Sequence, residues 1–473
     1  AVQVSRVRGE RLPFLVPPAV AAAARLTSPD PSALLGRAPW PSSETADDVL
    51  ALRDAHFARV HERYYAHPPR IERGWREHFV DTDGQTYIDM VNNVATAGHG
   101  HPRLADAAAR QWSMLNTNSR FNYGAIAEYS ARLAELAPDG LDQVFLVNSG
   151  SEAVDLAIRL ATVASGNPDV VAVREAYHGW TLGADAVSTS IGDNPRALET
   201  RPSWVRLVDA PNSYRGRHRG PDAGERYRAD LRRSFAEFDD AGARIGAFIA
   251  EPVYGNAGGV LLPDGYLRDA YELTRERGGY CIADEVQVGY GRLGTYFWGH
   301  EQQGVTPDII TIAKAMGNGH PLGAVITTRE IADAFAAEGS LFSSAGGSPV
   351  SCVVGMTVLD IMRDEDLIEN TRVVGGHLKA RLEELATRHP IIGAVHGMGL
   401  YLGVELVRDR ETLEPATAEA DAICEAMRYE GCIVQPTGDY LNVLKIKPPL
   451  LLARESADFF VDGLDRVLAA LAF

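Results

Sequence analysis

Lysine is nearly absent from this chain: its 473 residues hold only Lys314, Lys379, Lys445 and Lys447, against forty-two arginines. Cysteine is equally scarce. Cys281, Cys352, Cys424 and Cys432 have no metal-type spacing, which argues against a zinc module and reads as reduced, mostly buried thiols in a cytoplasmic protein. Positive charge is also lacking. A formal charge of −17 disfavours nucleic acid and anionic membranes as partners. No apolar run nears the roughly 20 residues of a membrane span, and no charged-then-apolar leader is present. The HExxH, P-loop and GxSxG patterns are missing too, so a metalloprotease, a P-loop nucleotide site and a serine-elbow hydrolase are not expected, and no metal site is expected.

A hydrophobic share of 45% supplies ample core, and the length predicts two domains or one large domain with a satellite. Residues 1–45, rich in Pro, Ala and Arg and without an initiating Met, read as a leader or a linker from an upstream domain. Residues 46–66 carry apolar positions at helical spacing. From about 125 onward, short apolar strands alternate with helical stretches. The strands are expected at 143–147, 170–173, 205–208, 245–250, 280–283, 309–312 and 322–327, the helices near 151–165, 226–240, 265–277 and 330–337. That order implies an α/β fold with a mostly parallel sheet covered on both faces. After Pro349 the pattern changes to a long helical region (350–388), strands within 391–407, a helix at 416–430, a strand at 441–446 and a final helix at 455–471, a smaller α+β domain. The expected division is 46–85 as a segment joining the small domain, 86–349 as the large domain and 350–473 as the C-terminal small domain.

Five strand ends carry chemistry. Lys314 follows the apolar run Asp308-Ile309-Ile310-Thr311-Ile312-Ala313 and precedes a glycine-punctuated turn, at the lip of a sheet where ligand crevices form. Burial there can lower its pKa until the amine forms a Schiff base; a solvated strand-end lysine is the plain alternative for this residue alone. Ser149, Gly150 and Ser151 lie between a strand and a helix whose apolar face is Ala153, Leu156, Ala157 and Leu160. They suit a phosphate cradle at a helix N-terminus, or an ordinary capped helix start. Asp284 and Val286 fall on one face of a strand end by alternation, suited to the nitrogen and flank of a flat heterocycle, or merely to capping a loop. Tyr177, His178 and Trp180 offer an aromatic platform after a further strand, and Glu251 ends another. The glycines of Gly289-Tyr290-Gly291-Arg292-Leu293-Gly294 match GxGxxG but lead into Thr295-Tyr296-Phe297-Trp298, not an amphipathic helix, so a dinucleotide site is rejected.

Together these residues resemble the class III (subgroup II) aminotransferase family over roughly residues 50–471. The resemblance implies a fold type I enzyme that depends on pyridoxal 5'-phosphate, with a large αβα domain and a smaller α+β domain. It implies that Lys314 bonds to the cofactor and moves the substrate's proton. Asp284 would keep the ring nitrogen protonated, Val286 and Tyr177 would flank the ring, and Gln287 would lie near the phenolic oxygen. Glu251 and His178 would support that network, and Ser149, Gly150 and Ser151 would hold the phosphate. Ser344, in Ser343-Ser344-Ala345-Gly346-Gly347-Ser348-Pro349, matches a family threonine that completes the phosphate site of a neighbouring subunit, implying a homodimer with shared active sites.

Departures from the family narrow the substrate. Lys445 stands where many members carry a carboxylate-binding arginine, and Asn256 where they carry its glutamate partner; lysine lacks the arginine's bidentate fork. Asn116-Thr117-Asn118-Ser119-Arg120, Ser213-Tyr214-Arg215-Gly216 and Asn442-Val443-Leu444-Lys445-Ile446-Lys447-Pro448-Pro449 look like the branch containing amine-phosphate phospho-lyases, in which Arg120 and Arg215 could bind a substrate phosphate. Phe121-Asn122-Tyr123 departs from the Tyr-Leu-His of that branch. The resemblance therefore implies transfer of an amino group from a small primary amine or amino acid to a keto acid or aldehyde, with elimination of phosphate from a phosphorylated amine as the alternative.

Overall fold

The computed structural model describes residues 45–61 and 63–471, with the backbone of 2–7 and 10–15. Val2–Val7 and Glu10–Leu15 pair as an antiparallel hairpin; the rest of the expected leader, from 16 to 44, lies outside the described residues.

Three short strands, β1 (Ile71–Trp75), β2 (His78–Asp81) and β3 (Thr86–Asp89), precede the main sheet. The main sheet contains β4 (Gln143–Val147), β5 (Asp169–Val173), β6 (Val205–Val208), β7 (Ile245–Ala250), β8 (Tyr280–Asp284), β9 (Ile309–Ile312) and β10 (Gly323–Thr327). Its order is β4-β10-β9-β8-β7-β5-β6, with β10 antiparallel to both of its neighbours and the other pairings parallel. Every residue of β5, β7 and β9 is buried, which is why their sequences run apolar without alternation. Alternation survives in where the side chains go. Val170 and Ala172 pack with the helix spanning 150–165, whereas Val171 and Val173 pack with Tyr227, Leu231 and Phe235 of the helix spanning 223–240.

The smaller sheet orders β11 (Ile392–Met398), β12 (Tyr401–Asp409), β15 (Val443–Ile446) and β14 (Gln435–Thr437) in antiparallel fashion. The intervening strand β13 (Cys432–Ile433) pairs in parallel with β3 instead, so chain segments from both sides of the large sheet share one sheet.

Several expectations need correction. The helix expected over 46–66 ends early: it spans Ala46–His56, buries no residue and stops at Phe57 in extended backbone. None of its apolar residues is fully buried, and spacing alone does not prolong a helix. The region 350–388 is two helices, Pro349–Asp364 and Leu367–Arg388, broken where Asp366 turns left-handed at φ 49°. Helices Pro102–Met114 and Gly124–Leu136 were not expected; the first buries no residue and the second only Tyr129 and Leu133.

The helix Leu367–Arg388 also contains two neighbouring glycines with opposite consequences. A Cβ at Gly375 would sit 2.3 Å from the Gly399 backbone, whereas one at Gly376 would meet nothing within 4 Å. Gly375→Ala should destabilise the protein by about 1–3 kcal/mol, and Gly376→Ala should stabilise it by about 0.5–1 kcal/mol. Thermal unfolding of the two variants checks the signs.

Candidate active site

The carboxyl ends of β5, β7, β8 and β9 converge on one buried carboxylate. Asp284, at the end of β8, is 3% exposed. Its Oδ1 accepts the Val286 N–H at 3.1 Å and the Thr311 hydroxyl at 3.2 Å, and its Oδ2 lies 2.6 Å from Nδ1 of His178. An ionised carboxylate only accepts, so Nδ1 carries the hydrogen. The backbone N–H of His178 donates to Ser188 at 2.8 Å, and its buried Nε2 has no protein partner.

Lys314 leaves the end of β9 at the start of a short helix, Lys314–Gly317. Burial pushes its pKa down, while the charges of Asp284, Glu251 and Asp193 oppose that shift. Glu251 follows β7 and accepts the N–H groups of Tyr177 (3.2 Å) and Gly255 (3.1 Å). Burial raises its carboxyl to about 7; His178 pulls it down and Asp284 pushes it further up.

The side chains surround a cavity of about 300 Å³ whose lining includes Ser149, Gly150, Ser151, Tyr177, His178, Asp284, Val286, Gln287 and Lys314. Ser149 caps the helix Gly150–Ser165, accepting the Glu152 N–H at 3.2 Å, so unpaired N–H groups of the first turn border the cavity. Two glycines keep this corner open. A Cβ at Gly150 would meet Val286 at 3.0 Å, and at Gly179 (φ 137°) it would meet Ser151 Oγ at 2.5 Å. Larger concavities of about 740 and 700 Å³ lie near Phe297 and near Arg53, but neither contains a lysine or any of the strand-end motifs.

The remaining expected residues lie around or away from this cavity. Lys445 in β15 is half-buried and Lys447 just beyond it is buried; desolvation lowers Lys445 to about 8 and, with Lys445, Lys314 and Arg292 nearby, takes Lys447 well below its usual range. Asn256 donates through its amide to Asp193, which no sequence motif marked. Arg215 pairs with Glu405, which also contacts His396 at 2.7 Å, and donates to the Leu413 carbonyl at 2.9 Å. Arg120 is exposed and stacks over Phe342 at 4.3 Å, and Ser344 is also exposed. Neither lines the cavity within this chain. Sequence reasoning overlooked Asn93, which hydrogen-bonds Gln287, and gave Lys447 no role of its own. Scarcity of lysine was the one available signal for Lys447.

Residues 62–468 match the class-III aminotransferase family, and the chain belongs to it. It is 38% identical to "Alanine--glyoxylate aminotransferase 2-like" of Drosophila melanogaster over 432 residues, covering 90% of this chain and 87% of that protein. It is 33% identical to "Ethanolamine-phosphate phospho-lyase homolog 1" of Caenorhabditis elegans, covering 90% and 94%. Among solved structures, an Arthrobacter phospholyase in complex with phosphoethanolamine superposes with a TM-score of 0.83 at 34% identity, covering 89% of this chain and all of that one. The fold is type I and the cofactor is pyridoxal phosphate. The cavity fits that group. An open glycine corner at a helix N-terminus suits the phosphate, a buried carboxylate suits the ring nitrogen, and a desolvated lysine suits the aldehyde.

Glu251 makes the site's pH dependence measurable. Its pKa is raised from 4.5 to about 7, so the stability it contributes is complete below 4.5 and lost as pH rises to about 7. Across that window the protein should lose roughly 3 kcal/mol that Glu251→Gln does not lose. Unfolding curves at pH 5 and pH 8 should therefore show Glu251→Gln gaining stability relative to the parent protein at the higher pH.

Proposed function

We propose that this enzyme moves the amino group of a small primary amine or amino acid to a 2-oxo acid or aldehyde. The observation that carries this reading is the desolvated Lys314 amine at the end of β9, set among the charges of Asp284 and Glu251. Bound pyridoxal phosphate supplies an electron sink for charge developing at the substrate's α-carbon. Lys314, with its proton affinity lowered by burial, takes and returns the proton at that carbon. Asp284 would hold a proton on the ring nitrogen, with His178, Thr311 and the Val286 N–H fixing its direction. Tyr177 and Val286 flank the ring, Gln287 addresses its phenolic oxygen, and Ser149, Gly150 and Ser151 hold the phosphate. Glu251 anchors Tyr177 through its backbone.

A second reading has its own observation. Lys445 and Lys447 bring two amines together in a chain that lacks the family's arginine–glutamate pair, which supports a phosphorylated amine as substrate and expulsion of its phosphate. Arg120 and Arg215 serve this reading less directly, because Arg215 is already committed to Glu405.

Both readings take a homodimer. Trp112, Met114, Phe121, Trp180 and Leu182 are 61–94% exposed, more apolar surface than isolated residues explain. A second copy would cover such residues, and the exposed Ser344 would then reach the copy's phosphate cradle. The four cysteines are free and buried, which supports a reducing, cytoplasmic setting. No helix among the described residues is long and apolar enough to cross a membrane.

Excess amine, phosphoethanolamine included, mixed with holoenzyme and no oxo acceptor separates the two chemistries. An aminotransferase stops after one turnover per site, releases no phosphate and resumes when a 2-oxo acid is added. Continuous phosphate release without acceptor would replace amino transfer by elimination.

A further inference from the structure

Gln287 is held from behind by donors that come from two distant parts of the chain. Its Oε1 accepts the Asn93 amide at 2.7 Å and the Lys447 ammonium or amine at 3.3 Å. Asn93 lies in the loop after β3 and Lys447 just beyond β15, and the two segments are tied together where the Lys447 N–H donates to the Met90 carbonyl at 2.7 Å. Asn93 and Lys447 are both buried, at 4% and 6% exposure.

The orientation of the Gln287 amide follows from this geometry. An amide oxygen and nitrogen cannot be told apart by shape, so the network must decide. Asn93 Nδ2 also faces the backbone carbonyl of Gln287 at 3.4 Å, and a carbonyl only accepts. Asn93 therefore presents its NH2 group on this side. The side-chain atom of Gln287 that meets the same NH2 group is its oxygen. Lys447 adds a second donor to that oxygen. With both acceptor directions of Oε1 engaged, the group that Gln287 offers to the cavity is its NH2.

We propose that Asn93 and Lys447 are positioning residues that clamp Gln287 with its amide NH2 toward the cavity, so that an anionic ring oxygen of the cofactor meets a donor and not an acceptor. This rests on the reading of the cavity as the cofactor site. Loss of either clamp residue lets the amide turn over, placing a carbonyl oxygen against the phenolic oxygen. Lys447 has no carboxylate within ion-pair distance among the described residues. Burial and the neighbouring cations Lys445, Lys314 and Arg292 lower its pKa, and the nitrogen can donate to Oε1 in either form. A buried lysine is costly to keep unless it makes such a bond. The clamp also joins the small sheet, the N-terminal strands and the large sheet at one side chain beside the cofactor cavity.

The test uses purified holoenzyme and two readouts other than turnover: the cofactor's dissociation constant, and the pH midpoint of the bound cofactor's visible absorbance. Lys447→Met, which keeps the volume and removes the donor, should raise the dissociation constant about fivefold and move the midpoint by about half a unit, the scale of one hydrogen bond. In a Gln287→Met background the same substitution should move neither readout. Asn93→Asp, which replaces a donor with an acceptor, should shift both in the same sense and serves if Lys447→Met does not fold. Unchanged readouts in Lys447→Met and Asn93→Asp overturn the clamp, as do equal shifts with and without Gln287. If Gln287→Met alone leaves the spectrum and affinity unaltered, the placement of Gln287 at the cofactor is wrong and the clamp falls with it.

Discussion

A carboxylate buried at the end of a central strand must be fully hydrogen-bonded or it will not remain charged. Asp284 meets that condition with donors from three places: the turn that follows its own strand, β9 through Thr311, and the loop after β5 through His178. Those three segments are far apart in sequence and meet only because the sheet order sets β9 beside β8 and brings β5 back next to β7. The surrounding arrangement follows from this demand. The same burial lowers the Lys314 amine and raises Glu251, so one low-dielectric setting tunes two groups in directions set by their charge.

The second constraint is space. The helix Gly150–Ser165 can present its first-turn N–H groups to a ligand only if nothing projects into the gap, and Gly150 and Gly179 keep it clear of Val286 and Ser151. The small sheet contributes from elsewhere in the chain. Its β15 strand brings Lys445 and Lys447 in from beyond the large sheet, and Lys447 reaches Gln287 directly. In the reading proposed above, the substrate end would be set by a different part of the chain from the cofactor end. Amino transfer and phosphate elimination can therefore share the Lys314–Asp284 machinery and differ in what surrounds Lys445.

The large sheet was legible because its strands are buried on both faces, and an unbroken run such as Ile245–Ala250 has no other comfortable place. The reversed direction of β10 was not, since Gly323–Thr327 reads as one more apolar strand whichever way it runs. The helix Gly150–Ser165 was legible from its apolar face and has eight buried residues, whereas Pro102–Met114 buries none and was missed. Residues at strand ends, Lys314, Asp284, Glu251 and Ser151 among them, could be picked out because chemistry-bearing types interrupt apolar runs. Asn93 and Asp193 sit in loops and act through tertiary contacts, so nothing in their neighbours announces them. Ser344 and Arg120 belong to a resemblance rather than to a pattern, and within one chain both face outward.

The central claim is that Lys314, of the four lysines, is the one bonded to the cofactor. Borohydride reduction of the holoenzyme fixes pyridoxal phosphate to the lysine that holds it, and peptide mass mapping then locates the adduct. The account predicts a single modified peptide containing Lys314, with Lys379, Lys445 and Lys447 unmodified. An adduct at Lys445 or Lys447, or cofactor that washes away after reduction, would contradict it.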